Sequence, residues 1–183
     1  MEEPTIFDNI SPLDHRYYTA NKALFDRLRE TLSETANVRY CLRAELALLR
    51  THIHFYFDDD DSLISALDDA ESQVTAGDVY AEEEKTQHNI RALVNVLQRH
   101  LPVSLRPFVH LGATSVDILD TAFSLRIRDA VRKVVLPLLL ELQSELIETT
   151  LGEADTPQVG RTHGQHAVPI SFGFAIAEYV ARL

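Results

Sequence analysis

Two histidines, an arginine, a threonine and a glutamine crowd the stretch Gly160-Arg161-Thr162-His163-Gly164-Gln165-His166. The two glycines and Pro169 are enough to turn the chain between two apolar segments. The other side chains all donate hydrogen bonds or exchange protons, which suits an anionic ligand or a nitrogen that must be protonated. The plain alternative is a hydrogen-bonded loop between helices, and one isolated His-bearing loop warrants no more. Three other clusters weigh against it. Val109-His110-Leu111-Gly112-Ala113-Thr114-Ser115-Val116-Asp117 puts a glycine-led, hydroxyl-rich turn at the head of a helical pattern. Thr114-x-x-Asp117 has capping-box spacing, with Asp where Glu or Gln is usual, so Thr114 or Ser115 caps that helix. Unpaired N–H groups, the positive dipole end and two hydroxyls make such a helix start a carboxylate site, with capping alone as the alternative. Arg16 beside Tyr17 and Tyr18 is an anion grip or an N-terminal arm held by its rings. His88, flanked within one turn by Lys85 and Asn89, is surface or faces a cleft, and its neighbours favour the cleft.

The elements that must position these groups are helical. Leu24, Phe25, Leu28 and Leu32, then Leu42, Leu46, Leu49 and Ile53, recur at three and four and predict two or three helices between Asn21 and Phe57. His52 and His54, two apart, fall on different sides of a helix and read as structural. Asp58 to Asp61 reads as a solvated loop capping a helix that starts near Ser62. Ile90, Leu93, Val94 and Leu97 form the stripe of one helix from Val79 to about Leu101, which places His88 about 200° from Ile90 at ~100° per residue, off the core face. Ser11 and Pro12 make Ile6–Tyr18 irregular. Pro102 and Pro107 bracket an irregular connection, so a domain boundary is expected there, giving 1–108 and 109–183. Beyond it a helical pattern runs to about Thr150, roughly 45 to 50 Å at 1.5 Å per residue. Pro137 should kink or break it. Its apolar residues, among them Val131, Val134, Val135, Leu136, Leu139, Leu140 and Leu142, predict burial against several helices, including helices of other chains. Ser171, Gly173, Ala175 and Ala177 are small residues suited to close backbone approach. The pattern stops at Leu183 without a cap signal, which leads us to expect a longer protein.

Composition narrows the classes. The chain has 183 residues, 45% of them hydrophobic, enough to bury a substantial core. Its net charge of −11 disfavours a general nucleic-acid binder, so an anionic ligand must be caught by local donors. The uncharged run from Val134 to Leu140 is far short of the ~20 residues a membrane crossing needs. The acidic start Met1-Glu2-Glu3-Pro4 lacks the features of a secretory signal. The single Cys41, between Tyr40 and Leu42, reads as a packed thiol, and a cytoplasmic setting is expected.

Taken together, Ser11-Pro12-Leu13-Asp14-x-Arg16-Tyr17, Thr86-x-His88, His110-x-Gly112-x-Thr114-Ser115-x-Asp117-x-x-Asp120-Thr121 and Gly160-Arg161-Thr162-His163-Gly164-Gln165 resemble, in order, the adenylosuccinate lyases of the aspartase/fumarase superfamily. The later motifs suit the superfamily broadly, including its carboxymuconate cycloisomerases; the Ser-Pro-Leu-Asp-x-Arg-Tyr start points to the lyases. The resemblance implies an all-helical protein, with a small N-terminal helical domain before the first long helices of a tetramer-forming bundle. It implies elimination of fumarate from adenylosuccinate, giving AMP, and from the succinyl-carboxamide imidazole ribotide of purine biosynthesis, without metal or organic cofactor. By position, it makes His163 the general acid and His88 its substrate-orienting partner. Thr114 and Ser115 would hold the succinyl carboxylates, Arg16 and Tyr17 the nucleotide phosphate, while Lys85, Asn89, Thr162 and Gln165 would complete the substrate site.

Two residues depart from the family pattern: His15 stands where glycine is usual, and Asn89 where aspartate follows the helix histidine, which bears on how His88 is oriented. The family's general base, a serine on a glycine-serine-rich loop, has no match in this chain. Each family active site draws on three subunits, so these residues alone are expected to be inactive. The alternatives are a cycloisomerase-like relative acting on a tricarboxylate and a non-catalytic helical assembly module.

Overall fold

The structure is a computed structural model that describes residue 10 and residues 14–183. Ser11-Pro12-Leu13 and the side chain of His15 lie outside the described residues. The chain packs as two compact units, one ending at Ala130 and the other spanning Val131–Leu183.

The first unit is helical: α1 (Asp14–Ala20), α2 (Lys22–Leu32), α3 (Glu34–Tyr56), α4 (Asp61–Gln73), α5 (Ala76–Thr86), α6 (Asn89–Arg99) and α7 (Ser115–Ala130). Its core is the set of stripes read from periodicity. Leu42, Leu46, Leu49 and Ile53 of α3 are buried with Ile90, Leu93, Val94 and Leu97 of α6, and Ile118 and Ala122 of α7 join them. Each such leucine, isoleucine or valine contributes roughly 1.5–3 kcal/mol when fully buried. The Cys41 thiol is packed among them, and burial pushes its pKa up to about 11. Asp60 caps α4 by accepting from the Ser62 and Leu63 amides, as the aspartate run implied. Arg126 ties α7 to the end of α2, donating to the Thr31 and Leu32 carbonyls at 2.9 and 2.8 Å and to Asn37 Oδ1 at 2.7 Å. Tyr40 Oη donates to Asp129 at 2.8 Å, fixing α3 against α7.

Two expectations need correction in this unit. The segment through Tyr18 is not irregular to its end, because α1 begins at Asp14. Nor does one helix run from Val79 to Leu101. Gln87 adopts a left-handed conformation (φ 52°), which closes α5 and lets α6 start afresh. His88 is therefore the residue before α6, and the 200° argument, which assumed an unbroken helix, does not apply.

The second unit opens on a π-helical turn, Val131–Val135, followed by α8 (Leu136–Gly152). Pro137 explains the turn: a proline ring cannot accept the carbonyl four residues back at α-helical distance, and an i→i+5 turn relieves the clash. Val134 is buried, but Val131, Val135, Leu136, Leu139, Leu140 and Leu142 are exposed on this chain, so the expected burial is not achieved within it. A two-stranded antiparallel hairpin follows, β1 (Pro157–Thr162) and β2 (Gln165–Ser171), and then α9 (Phe172–Val180). The hairpin stands where a plain loop between helices was the alternative reading, and it adds a small sheet to an otherwise helical fold. Gly173 performs the close approach expected of the small residues: its amide donates to the Glu153 carbonyl at 2.9 Å, and a Cβ there would collide with the Thr150 carbonyl. Among the described residues no helix is long and apolar enough to cross a membrane.

Candidate active site

His88 is fixed by its own helix. Its Nδ1 accepts from the Arg91 amide at 3.3 Å, so α6 gains a cap from an imidazole. An Nδ1 that accepts places the proton of the neutral ring on Nε2. Thr86 braces the same corner, its hydroxyl donating to the His88 carbonyl at 3.1 Å.

At the head of α7, Thr114 and Ser115 have separate duties. The Thr114 amide and hydroxyl both donate to Asp117 Oδ2, at 2.8 and 3.0 Å, which is the reciprocal half of a capping box. These bonds, the backbone one foremost, hold the Asp117 carboxyl below its ordinary range. Thr114 is thus the cap. Ser115 lines a cleft of about 340 Å³ with Thr86, His88, Ile90, Arg91, Val94 and His110. The wall carries two imidazoles, a guanidinium and two hydroxyls and no carboxylate. Two helix starts, those of α6 and α7, contribute residues to it, and helix starts favour negative charge.

His110 belongs to the motif at the head of α7, but nothing in the sequence gave it a task. The structure does: its backbone is left-handed (φ 62°), and Nδ1 lies 2.7 Å from Oε1 of Glu45, a carboxyl that is only 1% exposed. Burial pushes the Glu45 carboxyl above its ordinary range, and the His110 ring pulls it back. Residues 65 apart in sequence leave no periodic signal of such a pair.

Lys85 reaches back to Glu82 Oε2 at 3.4 Å on α5, and its side chain is 72% exposed. Asn89 turns its Oδ1 to the Ile90 amide at 2.7 Å and lines a different pocket, with Cys41, Val79, Tyr80 and Leu93. Arg16 and Tyr17 are exposed on α1, whereas Tyr18 packs inward, donating to Asp26 and accepting from Arg29.

In the second unit, Thr162 and Gln165 are paired across the hairpin, with His163 and Gly164 as the two turn residues. Both have positive φ, 50° and 71°, the pattern of a type I′ turn. Glycine suits it without steric cost; histidine enters this region more readily than most residues, yet a Cβ there still costs up to roughly 1–2 kcal/mol. The ring of His163 is thereby held out at the tip, exposed. Gly160 makes the hairpin possible. Ala167 and Val168 both face it across a bulge, and a Cβ at 160 would lie 2.6 Å from the Val168 carbonyl.

The sequence profile of the family described as Lyase matches residues 26–183. The chain is 32% identical over 174 residues to the adenylosuccinate lyase of Archaeoglobus fulgidus, covering 95% of this chain and 37% of that protein. It is 34% identical over 169 residues to the adenylosuccinate lyase of Pyrococcus abyssi, covering 92% and 36%. Among solved structures it is similar to the 3-carboxy-cis,cis-muconate lactonizing enzyme of Pseudomonas putida, with a TM-score of 0.75 and 30% identity over 93% of this chain and 38% of that one. The fumarate lyase of Mesorhizobium sp. BNC1 gives 0.73 and 28%, over 85% and 37%. The chain thus spans a little over a third of the length of the curated relatives it matches.

Proposed function

This chain belongs to the lyase family, and from that membership we propose that it supplies part of an enzyme that eliminates fumarate, more finely part of an adenylosuccinate lyase. Its substrates are then adenylosuccinate, which yields AMP, and the succinyl-carboxamide imidazole ribotide of purine biosynthesis. The observation that carries the reading is the cleft in which His88, His110, Arg91 and Ser115 converge without a carboxylate. Removal of a Cβ proton builds negative charge on the adjacent carboxylate, and fixed donors aimed there stabilise that charge as it develops. Ser115 and the head of α7 take this task, with Thr114 holding the turn in shape. His163 protonates the departing nitrogen, which an imidazole does well near neutral pH. Thr162 and Gln165 flank it, and Lys85 and Asn89, on either side of His88 in sequence, complete the substrate site.

Arg16 and Tyr17, both exposed, take the nucleotide phosphate. The general base comes from chain outside this sequence. Covering of the exposed apolar residues of α8 by other copies makes the enzyme a homotetramer whose sites are shared between subunits, and the division into 1–108 and 109–183 belongs to the same reading. The partner is a small nucleotide in the cytoplasm, with no nucleic acid, membrane or cofactor involved. His163→Gln in the full-length enzyme should lower the rate of fumarate release about 10²–10⁴-fold at unchanged stability. Unchanged activity would remove the role assigned to His163.

A second reading, a cycloisomerase-like enzyme acting on a tricarboxylate, is favoured by the similarity to the Pseudomonas putida lactonizing enzyme. Arg16→Ala separates the two: a nucleotide substrate should lose affinity, and a tricarboxylate without phosphate should not.

A further inference from the structure

Glu45 is an anomaly in the core of the first unit. It sits on α3 among Leu42, Leu46 and Leu49, 1% exposed, where an ionisable group is costly unless partnered. Its Oε1 meets His110 Nδ1 at 2.7 Å, while Oε2 is buried without a hydrogen-bond partner among the described residues. A leucine would suit that position in the core better than a half-satisfied carboxyl, so the pairing with His110 is what the position serves. Whichever atom carries the proton, the bond occupies Nδ1 and does not involve Nε2 of a partly exposed ring that lines the cleft. The left-handed backbone at His110 delivers the ring, and the carboxyl fixes its rotation.

We propose that Glu45 is a positioning residue for the reaction, acting through His110, whose Nε2 it holds toward the anionic ligand of the cleft. The proposal rests on the lyase reading for its kinetic test, but not for its structural one. Glu45 touches no ligand. Its contribution is orientation, with the buried carboxyl acting as the third group behind an imidazole.

The test is a double-mutant cycle in the full-length enzyme. Glu45→Leu fills the same core position and removes both carboxyl oxygens, so the contact with Nδ1 is lost. His110→Asn suits a left-handed backbone and keeps a donor near the place of Nδ1 while removing Nε2. Expected are a tenfold or larger fall in kcat/KM for Glu45→Leu alone, and less than a twofold further fall when it is added to His110→Asn. Thermal stability is followed in both backgrounds, because a purely structural role would shift stability equally in each and leave the kinetic effects additive. Additive kinetic effects overturn the proposal.

A crystal structure of full-length Glu45→Leu supplies the arm that needs no turnover. The His110 ring should leave its cleft-facing orientation, and a ring that stays in place also overturns the proposal. Should the unaltered enzyme release no fumarate, the lyase reading fails and this second arm alone decides the role of Glu45.

Discussion

His88 stands directly after the left-handed Gln87, its ring tied to the Arg91 amide, whereas His163 is itself the left-handed residue, at the tip of a hairpin with its ring exposed. At the first site, helix α6 gains a cap from the imidazole. At the second, the hairpin carries a strained residue whose ring gives nothing back to the fold. A histidine that stabilises its surroundings can be explained without function. One that costs stability is harder to explain that way, and strain of this kind gathers where a side chain must be presented to a ligand. The two regions therefore predict opposite stability responses to mutation.

The largest effect is expected from breaking the presenting device. Gly160→Val forces a branched side chain against the Val168 carbonyl, so the hairpin should distort, at about 1–3 kcal/mol of stability, and fumarate release by the full-length enzyme should fall with it. Thermal denaturation and a fumarate absorbance assay measure both. Next, His88→Ala removes the cap of α6 and should destabilise by about 0.5–2 kcal/mol, besides weakening substrate affinity. His163→Asn goes the other way. Asparagine tolerates the left-handed turn, so the protein should gain roughly 0.5–1 kcal/mol while losing most of its activity. If both histidine variants shift stability in the same direction, the contrast between the regions is lost.

The smallest effect concerns the scaffold under His88. Glu82 on α5 accepts from Asn95 and Arg99 of α6, bridging the break at Gln87, and these bonds hold its carboxyl at about 2 against an ordinary 4.5. A depressed carboxyl stabilises above its unfolded value and loses that contribution as pH falls. Acid denaturation should therefore show a component between about pH 4.5 and pH 2 that Glu82→Gln abolishes.

Most of the helical frame was legible in the sequence, because burial against a core imposes the 3.6-residue period that Ile90, Leu93, Val94 and Leu97 display. The capping pair Thr114 and Asp117, the aspartate cap of α4 and the proline-driven irregularity before α8 were legible too, each being a local effect with a local cause. Three features were not. The break at Gln87 depends on one non-glycine residue in a left-handed state, which carries no compositional mark. The hairpin was hidden because its turn is His-Gly rather than the usual Asn-Gly, and because the bulge at Gly160 breaks the alternation of its strands. The pairing of Glu45 with His110 was hidden because it is made by the fold, between a mid-helix glutamate and a loop histidine with no shared spacing. In the candidate site, the hydroxyl-rich turn was legible but not the division within it: Ser115 lines the cleft while Thr114 serves the helix.

We propose that the cleft of His88, His110 and Ser115 and the hairpin tip of His163 serve a single ligand once copies of the full-length protein assemble. A crystal structure of that assembly with AMP and fumarate bound tests it directly. The expected result is the His163 ring from a neighbouring copy within hydrogen-bond reach of a ligand whose carboxylate rests on Ser115, at about 2.6–3.2 Å. Separation of His163 from Ser115 by more than ~15 Å across every interface, far beyond that reach, would contradict it.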